Sequence, residues 1–246
     1  MSDSGSLPWA ARARRIGMLV PSTNTNAEPV TAAIVAQIPH VEVFTSRFRL
    51  PISLSEAIDT EVLGESLSMI GDVRPDVIAF HGTAGYWTGI ERDAVLGQSL
   101  ATATGAAFGT TATQAMMAAL GALSIRRVSL VYPGSAAVLD GAALALSARG
   151  FDVVGRSALP ADLSNPEIAA LPPREVEALV ARGAHPGADA VLCLGTNFKT
   201  GYLVDRMEQS LGQRVLDSAI TLAWQLVREA GISDRIRGWG SLLETH

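Results

Sequence analysis

The sequence has few of the residues that build disulfides, metal sites and membrane spans. Its 246 residues include one cysteine, Cys193, and four histidines, His40, His81, His185 and His246, whose spacing is not that of metal ligands. A single cysteine cannot form an internal disulfide, and we predict neither a disulfide framework nor a metal site. No stretch of eighteen apolar residues is free of charge, so length argues against a membrane-spanning helix.

Charged residues are also sparse, at 17%, and the net charge is −5. Apart from Arg12, Arg14 and Arg15 there is no cluster of basic residues, which argues against nucleic acid as the main partner. The first fifteen residues lack the apolar centre of a signal peptide, so a cytoplasmic location is expected. The apolar helices are compatible with a homo-oligomer.

What the chain does contain is a regular alternation of short Val-, Ile- and Leu-rich runs with longer segments of helical period. This alternation predicts βαβ units and a mainly parallel sheet. The predicted strands are Ile16–Val20, Val41–Thr45, Val77–Phe80, Ala107–Gly109, Val128–Tyr132, Asp152–Gly155, Ala190–Leu194 and Val215–Asp217. The predicted helices are Pro29–Gln37, Ser55–Ile70, Ile90–Thr102, Thr113–Leu123, Ala136–Arg149, Pro173–Gly183, Leu203–Leu211 and Ile220–Ala230.

The second half of the chain repeats the first. Three segments overlay in chain order without gaps: 14–22 on 126–134, 76–83 on 189–196, and 105–111 on 212–218. Three ordered matches favour an internal duplication. We therefore predict an α/β fold of two pseudo-symmetric lobes, each a mainly parallel four-stranded sheet flanked by helices, with a ligand cleft between them.

The predicted boundaries follow from this repeat. Residues 1–14 form a loose N-terminal arm, residues 15–124 the first lobe and residues 125–246 the second, with the C-terminal helix available to complete the first lobe.

Ligands of parallel α/β sheets bind beyond the carboxyl ends of the strands, where loops lead into helix N-termini. Here those loops are rich in glycine, hydroxyls and amides, which suit a small carboxylate, although the same residues are ordinary in turns and helix caps. The loops after the fourth and eighth strands, with Thr110, Thr111 and Asp217, belong to the same set, and for Asp217 we favour helix capping. The predicted substrate-binding residues are Ser22, Thr23, Asn24, Gly82, Thr83, Gly134, Ser135, Gly195, Thr196 and Asn197.

These loops carry a family resemblance. The opening segment 16–24 (IGMLVPSTN), Gly82-Thr83 and the segment 195–200 (GTNFKT) resemble the aspartate/glutamate racemase superfamily, in the branch of maleate cis-trans isomerases and arylmalonate decarboxylases. The resemblance implies a cofactor-independent enzyme that binds a carboxylate through Ser22, Thr23 and Asn24. It also implies that the loop after the third strand of each lobe usually carries a catalytic cysteine.

The sequence departs from that pattern at three places. Both cysteine positions of the family align with glycine: Gly82 at the first, where the decarboxylases also carry glycine, and Gly195 at the second, where racemases, isomerases and decarboxylases all carry the thiol. Cys193 falls two residues early. A tyrosine expected after Pro133 is replaced by Gly134, with Tyr132 two residues before it. Glycine at these positions predicts a roomier pocket, and Cys193 could take over the thiol's role only through a change of strand register.

His81 is the histidine at a predicted ligand-facing strand end, so it is a candidate acid or base near neutral pH. The alternative is a packing role, with Gly82 facing the cleft instead. Taken together, the residues favour a lyase or isomerase that acts on a small carboxylic acid through an enolate-like intermediate. A catalytically silent carboxylate-binding or sensing protein remains the alternative. A nucleotide-binding Rossmann enzyme is poorly supported, because the glycine-rich turn of that fold does not follow the first predicted strand here.

Overall fold

The computed structural model describes residues 12–51 and 58–245. Within them lie eight strands: β1 Arg14–Pro21, β2 Val41–Phe48, β3 Val77–Phe80, β4 Phe108–Thr111, β5 Arg127–Tyr132, β6 Asp152–Ala158, β7 Ala190–Cys193 and β8 Arg214–Asp217. The helices are α1 Ala27–Val35, α2 Thr60–Asp72, α3 Gly85–Thr88, α4 Ile90–Thr104, α5 Ala112–Ala122, α6 Ala136–Ser147, α7 Asn165–Ala169, α8 Pro173–Gly183, α9 Val204–Leu211, α10 Ser218–Glu229 and α11 Ser241–Thr245.

The strands form two parallel sheets of four with the same topology. The first has the order β2-β1-β3-β4 and the second β6-β5-β7-β8, and helices flank both. The central strands β3 and β7 are buried throughout, as expected when helices cover both faces of a parallel sheet. The predicted fold class is confirmed.

Strand register supports two of the three sequence overlays. Ile16 pairs with Val77 in the first sheet, and their overlaid counterparts, Val128 and Ala190, pair in the second. The third overlay is one residue out along the strand, because Val77 pairs with Phe108 whereas Ala190 pairs with Arg214. Thr111, not Thr110, is therefore the structural counterpart of Asp217.

An aspartate before the third strand of each lobe repeats the same contact. The carboxylate of Asp76 accepts a hydrogen bond from the Arg15 N–H at 2.8 Å, and that of Asp189 accepts one from the Arg127 N–H at 2.8 Å. These two bonds tie the start of the first strand to the start of the third in both lobes. They explain why the aspartate recurs in the repeat, whereas the backbone donor sets no requirement for an arginine side chain.

Helices from each half pack against the other half. Helix α10 contacts α1, α5 and β3, and the short helix α3 contacts α6. One hydrophobic core runs through both lobes, while a smaller core of the first lobe includes Leu19, Ile78 and Phe80, which alternate along their strands with residues of the large core. The division of the chain at residue 124 stays a prediction.

The predicted element positions agree with the structure to within a few residues, apart from α3, α7 and α11, which were not predicted. Most of the predicted N-terminal arm (residues 1–11), the first residues of the predicted helix at Ser55 and the last residue, His246, lie outside the described residues. Arg14, at the end of that predicted arm, begins β1. None of the helices in the described ranges is long and apolar enough to cross a membrane.

Candidate active site

A cavity of about 380 Å³ lies at the carboxyl ends of the strands, between the two sheets. Its walls come from the loops after β1, β2 and β3 and from the equivalent loops after β5, β6 and β7. The lining residues are Pro21, Thr23, Asn24, Leu50, Pro51, Ile58, Phe80, His81, Gly82, Thr83, Ala84, Trp87, Tyr132, Pro133, Leu163, Ser164, Asn165, Pro166, Ile168, Gly195, Thr196, Asn197 and Phe198. This volume is within the usual range for small-molecule sites.

The two Gly-Thr turns of the repeat meet at this cavity. Gly82 and Thr83 line it from the first lobe, and Gly195 and Thr196 line it from the second. The turns are in direct contact, because the Thr196 hydroxyl donates a hydrogen bond of 3.0 Å to the carbonyl of His81. The duplicated loops therefore face a shared space.

Asn24 joins this contact from the end of β1. Its side-chain NH₂ donates to the Thr196 hydroxyl at 2.9 Å, and its side-chain oxygen accepts from the N–H groups of Asn26 and Ala27, both at 2.9 Å. The Asn24 side chain thereby satisfies two N–H groups at the start of α1 and pins the lobes together. With these bonds made, Asn24 has a positioning role in this arrangement.

The side-chain amides of Asn197 and Asn165 make further hydrogen bonds between the two lobes. Asn197 accepts a hydrogen bond from the Thr25 N–H at 3.0 Å and donates one to the Asn165 carbonyl at 2.7 Å. The Asn165 side chain in turn donates to the Thr23 hydroxyl at 3.1 Å. Sequence reasoning missed Asn165, since the short helix it begins has no counterpart among the predicted helices.

In and directly after the two Gly-Thr turns, five backbone N–H groups have no hydrogen-bond acceptor within the described residues. They belong to Thr83 and Ala84 in the first lobe and to Gly195, Thr196 and Asn197 in the second. Because unpaired N–H groups in adjacent turns attract negative charge, the cavity is suited to an anion such as a carboxylate.

His81 lines the cavity and is 1% exposed, and neither of its ring nitrogens has a hydrogen-bond partner in the described ranges. Burial lowers the pKa of His81 to about 4, against a weaker opposing effect from a backbone hydrogen bond. The imidazole is therefore neutral at pH 7. This differs from the expectation of a group that titrates near neutral pH.

Cys193 lies behind the cavity rather than in it. It is fully buried at the end of β7, is absent from the lining, and pairs with Asp217 across the sheet. Burial, together with the nearby charge of Asp217, raises the pKa of the Cys193 thiol. A protonated thiol inside the core is placed for packing, and this position speaks against the catalytic role considered for it.

Three further predicted binding residues lie outside the lining. Ser22 is exposed, and neither Gly134 nor Ser135 reaches the cavity surface. Ser135 instead occupies the N-cap position of α6. The loops after β4 and β8 also stay outside it, since Asp217 caps α10 by accepting hydrogen bonds from the Ala219 and Ile220 N–H groups at 2.8 and 2.9 Å.

The space beside Gly82 is filled by an aromatic ring. A Cβ atom at Gly82 would lie 2.6 Å from Cε1 of Phe80, which is two residues earlier and on the same side of the strand. Phe80 is 1% exposed and packs against Phe48 in a tilted arrangement, with ring centroids 5.8 Å apart. Even the smallest side chain at position 82 therefore requires the Phe80 ring to move.

In the second lobe, the ring of Tyr132 fills the space beside Gly134. A Cβ atom at Gly134 would lie 2.6 Å from Cε1 of Tyr132, and one at Gly195 would lie 3.6 Å from Cε2 on the opposite edge of the ring. The expectation that Gly82 and Gly134 leave extra room is therefore wrong, because the rings of Phe80 and Tyr132 occupy it.

The remaining wall is largely apolar. Side chains after β2, at Leu50, Pro51 and Ile58, face those after β6, at Leu163, Pro166 and Ile168, while Trp87 and Phe198 lie at the turns. The cavity thus combines N–H groups suited to an anion with a surface suited to a hydrocarbon group. No group of three or more His, Cys, Asp or Glu side chains that could hold a metal ion occurs in residues 12–51 and 58–245.

The fold and the cavity define a class: a two-lobed α/β protein whose related sheets share a ligand cavity at matching strand ends. A family model described as arylmalonate decarboxylase matches residues 54–243. The chain belongs to this family.

Proteins with two different activities, maleate isomerase and arylmalonate decarboxylase, resemble the chain over nearly its whole length. The maleate isomerase of Nocardia farcinica (strain IFM 10152) is 25% identical over 240 residues, which cover 94% of this chain and 95% of that protein. A structure of the Nocardia farcinica enzyme with a covalently bound succinylcysteine intermediate has a TM-score of 0.80 at 25% identity, covering 95% and 99% of the two chains.

The structure of unliganded arylmalonate decarboxylase has a TM-score of 0.79 at 24% identity, covers 95% of this chain and 100% of that one, and shows the shared fold. These matches confirm the resemblance to the maleate isomerase and arylmalonate decarboxylase branch. The assignment of Gly82 and Gly195 to the family's cysteine positions stays a prediction.

Proposed function

We propose that this protein is a cofactor-independent decarboxylase that acts on a small malonate-type acid bearing an apolar substituent. The observation that carries the proposal is the set of unpaired N–H groups from both lobes, on Thr83, Ala84, Gly195, Thr196 and Asn197, around the same cavity. Both turns are in place to bind one carboxylate from two sides.

The chemistry follows from that arrangement. When one carboxylate leaves as CO₂, the electron pair of the broken C–C bond moves onto the remaining carboxylate and forms an enediolate. The N–H groups of the turns around the cavity would stabilise the added negative charge, because those turns are already in place before the reaction. The apolar wall at Leu50, Leu163 and Ile168 would hold the hydrocarbon substituent and the departing CO₂ away from water.

Decarboxylation is favoured over isomerisation because of where the cysteine lies. A cysteine-to-serine mutant of the Nocardia farcinica isomerase carries a covalently bound succinylcysteine intermediate, and such an adduct requires a thiol open to the substrate. The one cysteine here, Cys193, is fully buried and absent from the cavity lining. Enediolate formation by loss of CO₂ needs no nucleophile, so it is compatible with this cavity.

The burial of Cys193 also favours a second candidate, a carboxylate-binding protein without catalysis. The two are separated by incubating the protein with phenylmalonate, methylmalonate and maleate in deuterated water. Decarboxylase activity predicts CO₂ release and one deuteron at the α-carbon of the product, seen by NMR. Thermal stabilisation by these acids without CO₂ release or exchange would refute the decarboxylase and support binding alone.

A matched pair of variants ties the activity to the cavity. Ala84→Phe places a ring in the cavity from a backbone with ordinary dihedral angles, and we expect at least tenfold slower CO₂ release with little change in melting temperature. Gly121→Ala is the control, because a Cβ atom there meets no heavy atom within 4 Å and position 121 does not line the cavity. Equal activity of the two variants would place the reaction elsewhere. Cytoplasmic location and homo-oligomerisation stay predictions.

A further inference from the structure

We propose that Tyr132 is the acid that delivers a proton to the α-carbon after CO₂ has left. This inference rests on the proposed decarboxylase function and names a group that the family comparison does not supply. The product requires a proton at carbon, and the thiol of Cys193 is buried outside the cavity lining.

Tyr132 is positioned by the backbone at the end of β5. It is the last residue of a central strand, Pro133 follows it, and both line the cavity. Its ring lies between two glycines of the second lobe, with Cε1 against Gly134 and Cε2 toward Gly195. Since Gly195 also carries one of the unpaired N–H groups, the Cε2 edge of the Tyr132 ring lies beside the proposed carboxylate site.

The position of the Tyr132 ring depends on the two glycines beside it. A side chain at Gly134 would collide with the ring, since its Cβ would lie 2.6 Å from Cε1. Gly195 has φ of +101°, a backbone conformation that residues with side chains rarely adopt. Glycine at position 134 thus leaves the space that one edge of the ring occupies, and glycine at position 195 allows the backbone of the turn at the other edge.

The hydroxyl of Tyr132 is a free donor. It makes no hydrogen bond within the described residues. Burial, and then the negative charge of Asp162, raises its pKa, so the O–H stays protonated at neutral pH. Other hydroxyls at the cavity are less suitable, because that of Thr196 is engaged with His81 and an aliphatic hydroxyl such as that of Thr83 is a much weaker acid than a phenol.

Decarboxylation, protonation at carbon and recovery of the phenol follow one another without any further reactant except water. The C–C bond to one carboxylate breaks, its electron pair forms the enediolate, and the α-carbon then takes the proton of the Tyr132 O–H to form a C–H bond. The phenolate regains a proton from water. The hydroxide left behind combines with CO₂ as bicarbonate, so the net reaction consumes one water molecule.

Tyr132→Phe tests this step, since it keeps the ring and its packing against the glycines but removes the proton. With a prochiral malonate that carries methyl and phenyl groups, we expect kcat to fall 10²- to 10⁴-fold, KM to change less than threefold and the melting temperature to stay within a few degrees. The wild-type product should be one enantiomer, whereas the residual product of the variant should approach a racemate, because water then protonates both faces.

The control is Tyr202→Phe. This phenol is 48% exposed, contacts the Trp239 ring edge-on and is not in the cavity lining. A Tyr132→Phe protein that keeps kcat within threefold and the same enantiomer overturns the role of Tyr132 and leaves the decarboxylase intact. A wild-type protein that decarboxylates none of the acids overturns both proposals.

Discussion

The buried imidazole of His81 makes stability depend on pH in a way that one substitution can isolate. In the unfolded chain the histidine has a pKa near 6.5, and burial lowers it to about 4 in the folded protein. Between these two values only the unfolded chain holds the proton. Lowering the pH through this window therefore favours unfolding, and the contribution of His81 is fully present above pH 6.5.

The size of the effect follows from the two pKa values. One pH unit corresponds to 1.36 kcal/mol, so the interval between 6.5 and about 4 corresponds to about 3 kcal/mol at pH 4. The full pH profile will not show this directly. Burial raises the pKa of Asp93 and of Asp217 to about 6, and these carboxyls weaken the fold as pH rises from 3.8 toward 6, which is the opposite sign.

Subtracting a variant removes this interference. His81→Asn keeps a polar side chain that cannot titrate, while Asp93 and Asp217 remain in both proteins. Urea unfolding of wild type and variant at intervals from pH 4 to 7.5 gives two free energies of unfolding at each pH. We expect the wild-type value minus the variant value to fall by about 3 kcal/mol on going from pH 7 to pH 4.

The control is His40→Asn, which removes an exposed histidine at φ of 60°, a conformation that asparagine tolerates well. The difference between the two variants in the pH dependence of the free energy of unfolding then gives the contribution of the buried His81 ring. A wild-type minus His81→Asn difference that changes by less than about 0.5 kcal/mol across this range would show that the ring is solvated or protonated in the folded state. That result would refute the reasoning.

Three further predictions concern packing and hydrogen bonding around the cavity. Asn24→Ala removes three hydrogen bonds, including that to Thr196, and should lower the free energy of unfolding by about 2–3 kcal/mol in urea titrations. A loss under about 0.5 kcal/mol would show that these hydrogen bonds do not hold the two lobes together. Gly82→Ala should cost about 1–3 kcal/mol, and adding Phe80→Leu should recover at least about 1 kcal/mol of it in a double-mutant cycle, whereas additive effects would argue against the contact. Asp217→Asn should become more stable relative to wild type by about 2 kcal/mol as pH rises from 4 to 7, because the raised pKa of the wild-type carboxyl makes its ionisation destabilising. The absence of such a trend would mean that water reaches the carboxyl.

Hydrophobic pattern was sufficient to predict the architecture. Runs such as Val77–Phe80 and Ala190–Cys193 are buried on both faces, and a continuous apolar run of that length between helical segments is typical of a central parallel strand. The one-residue error in the third overlay has a simple cause. Gly105 and Gly212 match as left-handed helix ends, but the first lobe has one more residue before its fourth strand.

Strand order could place loops but not side chains. Gly82, Thr83, Gly195, Thr196 and Asn197 were expected at the cleft because all follow parallel strands, and they line it. The loops after β4 and β8 satisfy the same rule yet stay outside. Asp217 is used to cap α10 instead, and strand order alone does not show this, because β2 and β6 are also edge strands and the loops after them do line the cavity.

The order of residues along the chain thus determined the two-lobed α/β fold, its duplication and the position of the Gly-Thr turns, because periodicity and strand ends are local properties. The tertiary structure decided what those turns can do. Only packing placed the rings of Phe80 and Tyr132 in the spaces beside glycines, withdrew Cys193 into the core and held His81 neutral, since each of these depends on neighbours distant in the sequence or on exclusion from water.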